Sequence, residues 1–94
     1  MAPTVVGDDE TAHGPGHVES VTIIRTDADR YPSGWNYSLH YGEIGGRTLL
    51  RYDNAHERTK GHERHTPDGI EQIEFPGMEA LYRRFRREIE DLPP

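Results

Sequence analysis

Trp35-Asn36-Tyr37-Ser38-Leu39-His40-Tyr41, followed across Gly45-Gly46 by Thr48-Leu49-Leu50-Arg51-Tyr52-Asp53, organises everything else in this chain. In the first segment Trp35, Tyr37, Leu39 and Tyr41 alternate with Asn36, Ser38 and His40. That is the period-two pattern of a strand with one apolar face. Gly45-Gly46 is a candidate two-residue turn, because a positive φ costs glycine nothing. A turn there opposes Ile44 to Arg47 and predicts the pairs Tyr41–Leu50, His40–Arg51, Leu39–Tyr52 and Ser38–Asp53. Tyr41, Leu39, Leu50 and Tyr52 then share one face, and His40, Arg51, Ser38 and Asp53 share the other. Two strands that sort consistently in one register are what a hairpin requires.

Outward from this hairpin, Val21-Thr22-Ile23-Ile24 is rich in β-branched residues and predicts a preceding strand. Residues 27–34 are expected to be a loop closed by Pro32-Ser33-Gly34. Residues 55–69 are expected to be a long polar loop. Residues 70–75 predict a further strand with Ile73 and Phe75 on one face, broken by Pro76-Gly77. Met78, Leu81, Tyr82, Phe85 and Ile89 follow helical spacing, so a helix is predicted over 78–91, its apolar stripe docked on the sheet and its end set by Pro93-Pro94. Residues 1–18 lack an apolar period and are expected to be a disordered acidic tail, with His13 and His17 solvated. The expectation is a single α+β domain over 19–92: a small, mainly antiparallel sheet of about four strands with one C-terminal amphipathic helix packed on one face.

At 94 residues with 32% hydrophobic content, the chain has a thin core and part of it is expected to be unpacked. The absence of cysteine excludes disulfides and thiol chemistry. No apolar run approaches the length of a signal-peptide core or a membrane span, so a cytoplasmic protein without membrane contact is expected. A net charge of −6 argues against a typical nucleic-acid binder, yet Asp8, Asp9, Glu10 and Glu19 supply four of those charges within residues 1–20. The basic residues are ten arginines and Lys60, a choice suited to forked contacts with phosphates or carboxylates.

The polar face of the hairpin carries the chemistry. Cleaving RNA without a metal needs a base for the 2′-OH, an acid for the leaving oxygen and a fixed cation for the phosphorane. Arg51 suits the cation, and Asp53 suits the orienting of a histidine or of the arginine. His40 and one of His56, His62 or His65 suit the proton transfers. No cofactor or metal is assigned: His56, His62 and His65 supply three imidazoles for a zinc centre, but a glycine-containing loop lacks the helical spacing that makes such sets specific. Arg58, Lys60 and Arg64 in the polar segment, with Arg83, Arg84, Arg86 and Arg87 on the helix, are candidates for contact with RNA or a protein partner. The helix arginines stand mostly before their acids, the less favourable order, and the acids crowd the C-terminal end. They therefore support a rival expectation, a non-enzymatic binding protein acting through that helix. A metal-dependent hydrolase is a third alternative.

Three stretches together resemble a known family: Tyr37-Ser38-Leu39-His40-Tyr41, Arg51-Tyr52-Asp53-Asn54-Ala55-His56 and His62-Glu63-Arg64-His65, followed by the terminal helix. The pattern is similar to the TumE-like toxins of type II toxin–antitoxin modules, over about residues 20–91. The resemblance implies a ribonuclease-like growth inhibitor neutralised by a cognate helix-turn-helix, DNA-binding antitoxin. RNA is the implied substrate, and self-association stays open. His56-Glu57-Arg58 departs from the family pattern, in which Pro and paired histidines follow R-Y-D-N-A.

Overall fold

The computed structural model describes residues 3–93. Six strands run in chain order through one antiparallel sheet: β1 Thr4–His13, β2 His17–Arg25, β3 Trp35–Glu43, β4 Thr48–Asp53, β5 His62–Thr66 and β6 Gly69–Ile73. A short helix, α1 Glu57–Lys60, precedes β5, and α2 Met78–Glu90 follows β6. Among the described residues no helix is long and apolar enough to cross a membrane.

The central hairpin has the expected register: Ser38 opposes Asp53, Leu39 opposes Tyr52, His40 opposes Arg51 and Tyr41 opposes Leu50. Its turn differs. Gly42 opposes Thr48, so Leu49 is an extra residue in β4, and the Glu43 N–H donates to the Arg47 carbonyl at 2.9 Å. Ile44 therefore does not face Arg47. The bulge absorbs the added loop residue and leaves the inner register intact. It also brings the strands close, and a Cβ at Gly42 would lie 2.7 Å from the Arg47 carbonyl oxygen. Glycine is required there.

The sheet has six strands where about four were expected, and both additions fall in segments without an apolar pattern. The first is β1, which replaces the expected disordered tail from Thr4 onward; residues 1 and 2 lie outside the described residues. Backbone pairing to β2 holds it, with a bulge between Val5 and Gly7. His13 supplies the side-chain anchor: its Nε2 is 2.8 Å from Glu19 Oε1, and its ring meets Tyr41 edge-on at 5.1 Å. His17 stacks on the same tyrosine at 5.8 Å, so neither histidine is merely solvated. Exposed acids along an edge strand discourage pairing with another chain.

The second is β5, which together with α1 replaces most of the expected loop at 55–69. Its inward positions are filled by His62 and Arg64, each with partners in place of an apolar contact. The Tyr37 hydroxyl bonds His62 Nδ1 at 2.7 Å, and the imidazole stacks on Phe75 at 4.4 Å. Arg64 reaches Glu88 at 2.5 and 3.1 Å, Glu71 at 3.1 Å and the Tyr52 hydroxyl at 3.2 Å.

The core lies between the sheet and α2. Val21, Ile23, Tyr37, Leu39, Tyr41, Leu50 and Tyr52 face Met78, Leu81, Phe85 and Ile89, while Tyr82, Ile73 and Phe75 pack at its margin. The predicted helix stripe is the docked face, and Gly77 enters the helix at φ 100°, a conformation that favours glycine.

Beyond β4, Asn54 is fully buried. Its Oδ1 accepts the Tyr37 N–H at 3.0 Å, and its Nδ2 donates to the Trp35 carbonyl at 2.6 Å and to Glu57 Oε1 at 2.7 Å. Glu57 also accepts the Ser33 N–H and hydroxyl, both at 2.7 Å. One amide thus ties the start of β3 to α1 and, through Glu57, to the 27–34 loop.

Two predictions follow from these buried polar groups. Asn54→Ala removes the acceptor of the Tyr37 N–H and leaves the Trp35 carbonyl only the 3.4 Å contact from the Ser33 hydroxyl, which lowers stability by about 2–4 kcal/mol in urea denaturation. A change within experimental error would show that these bonds contribute nothing net. The second prediction concerns acid. Burial holds the His62 imidazole below its usual pKa, with Glu57 opposing in part, and burial then Arg51 hold His40 down as well. A depressed histidine pKa means the unfolded chain takes up protons first, so stability is complete above the unfolded value and falls as pH drops through it. The urea midpoint should decline as pH falls from 7 toward 5, and His62→Gln, which cannot titrate, should flatten that decline while lowering the plateau. An unchanged acid slope in His62→Gln would remove His62 from the cause.

Candidate functional site

Among the described residues, no helix or further strand packs on the sheet face opposite α2. Because side chains alternate, this face receives Ser38 and His40 from β3, Arg51 and Asp53 from β4, and Glu63 and His65 from β5. The strand registers set them in two rows across the sheet. Ser20, His40, Arg51 and His65 form one row, and Thr22, Ser38, Asp53 and Glu63 form the next.

Asp53 is the centre of this grid. It is only 3% exposed although its sheet face is uncovered, because neighbouring side chains enclose it. Its Oδ1 accepts the Ala55 N–H at 3.2 Å, which aims Oδ2 at its neighbours. Arg51 Nε lies 2.9 Å from Oδ2, and His65 Nε2 lies 3.0 Å from the same atom. Glu63 Oε1 is 3.6 Å from His65 Nε2. The two contacts at Oδ2 have ion-pair distances without hydrogen-bond angles. Arg51 Nε, Asp53 Oδ2 and His65 Nε2 are thus buried with no aligned partner. Buried polar atoms left in this state are rare, and such exceptions are found at functional centres.

His40 closes the row beyond Arg51. Its Nε2 is 2.8 Å from Thr48 Oγ1, a contact that the β4 bulge makes available. Burial, and secondarily the Arg51 cation, lower its pKa, so its ring is neutral at neutral pH.

The structure brings together four of the six residues expected to do chemistry: His40, Arg51, Asp53 and His65. His62 lies on the opposite face of β5, in the core margin. His56 is exposed at the start of α1. His62 and His65 point to opposite faces, so His56, His62 and His65 do not converge as a three-histidine centre. Arg58 and Lys60 are exposed on α1. Arg64 is tied to Glu88 on the helix side. On α2, Arg83 pairs with Glu79 at 2.9 Å, and Arg84 lies over the Tyr52 ring at 5.5 Å and 3.7 Å from Glu88. Arg86 pairs with buried Glu19, and Arg87 is exposed in the last turn.

Sequence reasoning missed Glu63 as a member of the cluster. The signal was its two-residue spacing from His65, matching Arg51 and Asp53, in a segment taken for loop. Tyr52 lies in the core as expected. Its hydroxyl donates to Glu88, and burial, then the Glu88 bond and charge, push its pKa up to about 12.

Comparison with curated proteins gives no match, and neither does comparison with solved structures. A family model described as Toxin TumE matches residues 7–93, which takes in β1 from Gly7 onward, the other five strands, the whole polar cluster and the docked helix. By this near-complete match, the chain belongs to the TumE toxin family.

Proposed function

We propose that the protein is the toxin of a type II toxin–antitoxin pair, acting in the cytoplasm by cleaving RNA at the Arg51–Asp53–His65 cluster until a helix-turn-helix antitoxin neutralises it. The observation that carries this reading is the buried Asp53 carboxylate, held against a guanidinium and an imidazole on an uncovered sheet face. Membership of a toxin family supports the biological role.

The chemistry is metal-independent. Neutral His40 is the base that takes the 2′-OH proton, and His65, oriented by Asp53, is the acid that protonates the leaving 5′ oxygen. The Arg51 side chain is 42% exposed and meets Asp53 through Nε, which leaves the outer part of its guanidinium for the phosphorane oxygens. The nucleophile is the substrate's own 2′-OH, so DNA is spared.

The rival reading, binding through the arginine helix, has less behind it. Arg84 and Arg86 are engaged within the fold, as is Arg64 beneath the helix, which leaves Arg83 and Arg87 as its exposed charges.

Induction of the wild type should arrest growth and fragment RNA. Arg51→Ala, with its fold verified by circular dichroism, should lose cleavage by about 100-fold or more and lose toxicity. Arg83→Glu with Arg87→Glu should retain both, and an RNA carrying 2′-deoxyribose at the cut position should stay intact. Growth arrest with intact RNA, or full toxicity of Arg51→Ala, would overturn the ribonuclease reading.

A further inference from the structure

The polar cluster has more negative than positive charge. Arg51 offsets one of the two carboxylates, Asp53 and Glu63, at the Asp53 end. Two carboxylates beside one imidazole are a donor set for a small cation.

The donor geometry agrees. Asp53 Oδ2 and His65 Nε2 are 3.0 Å apart, and His65 Nε2 and Glu63 Oε1 are 3.6 Å apart. All three atoms lie within 4.8 Å of one another. Ligands about 2.0–2.2 Å from a zinc-type ion sit roughly 3–3.5 Å from each other, so the first separation matches an edge of a coordination polyhedron and the second comes close to one. The site also has an orienting contact of the kind metal carboxylates use: the Ala55 N–H fixes Oδ1 and leaves Oδ2 for the ion. That oxygen belongs to a side chain 95% buried, and it has no aligned hydrogen-bond donor. Arg51, whose side chain is 42% exposed, would give up Nε's place beside Oδ2 as the ion enters. One imidazole with two carboxylates selects a transition ion over calcium or magnesium.

From this geometry we infer that Asp53, Glu63 and His65 form a binding site for one divalent transition-metal ion of the zinc type. Resting on the ribonuclease reading above, the ion excludes catalysis: it occupies the same Asp53 Oδ2 and His65 Nε2 that cleavage uses. Zinc is then a reversible inhibitor of the toxin.

The test is titration of the full-length, RNA-free chain with zinc alone, by calorimetry and by long-range nitrogen–proton NMR of the imidazoles. One equivalent should bind and move the His65 Nε2 resonance. Losing an orienting partner alone costs a metal site about 10- to 100-fold in affinity, so Asp53→Asn and Glu63→Gln should each weaken binding by about 10-fold or more. His13→Gln should leave it unchanged. The NMR arm uses the wild type, so it decides even where a variant fails to fold. No binding, or a response at His13, His17 or His56 in place of His65, would overturn the site. An RNA assay then separates the two claims. Inhibition at the binding midpoint supports exclusion, and zinc-stimulated cleavage overturns it. Zinc bound at His65 in a chain that never cleaves RNA leaves the metal site standing and removes the ribonuclease.

Discussion

A single helix has to close the core of a six-stranded sheet, and it is too short to cover it. Thirteen residues of α2 span about 20 Å, whereas six strands at their usual spacing extend about 24 Å. The middle of the covered face is apolar and fully buried. Its margins are closed by polar groups that bring their own partners: His62 with Tyr37 and Phe75, Arg64 with Glu88 and Tyr52, and Glu19 with His13 and Arg86. Such pairs add little net stability compared with apolar filling, but removing one member strands the other in a poorly solvated place. Arg64 shows the coupling well. The Glu88 hydrogen bond raises its pKa against the cost of burial. Arg64, Arg84 and Arg86 are therefore committed to architecture on this face.

The same shortage of covering elements leaves the other face bare. An antiparallel sheet tolerates this when the exposed side chains are polar, and most of this face is hydroxyl, imidazole and charge. Asp53 is the departure from that rule. A carboxylate is nearly fully buried on a face without a lid, beside a guanidinium and an imidazole whose contacts are close but misdirected. Nothing in the core requires this arrangement. A well-packed fold that breaks a local rule at one place usually does so for a ligand or a reaction.

The parts legible from sequence were those with a strong period. The hairpin register came from two strands sorting their side chains in agreement, and the helix stripe from five apolar positions. The parts that were missed share one physical cause. β1 and β5 have no apolar alternation: His13, His62 and Arg64 are held by hydrogen bonds and ring contacts instead, and Asp9 and Thr11, of the same parity as His13, are exposed. Such partners are distant in sequence: Tyr37 for His62, Glu88 for Arg64. With β5 taken for loop, His65 could be grouped with His56 and His62 by proximity in sequence, although strand parity puts His62 and His65 on opposite faces. Arg51 and Asp53 were identifiable because the hairpin alone defines their face. Glu63 needed the next strand.

The step from Asp53 to Asn54 links the two halves of this design. Asp53 ends β4 on the open face, with one oxygen tied to the Ala55 backbone, while Asn54 turns inward and binds Trp35, Tyr37 and Glu57. The backbone that aims the carboxylate is thus the backbone that the buried amide clamps. Burying a charge at a precise angle requires a rigid support, and three amide hydrogen bonds from a fully buried residue supply one immediately beside it. The adjacency of Asp and Asn in Arg51-Tyr52-Asp53-Asn54 then has a physical meaning. Arg51 and Asp53 present chemistry, and Tyr52 and Asn54 hold the same four residues to the core.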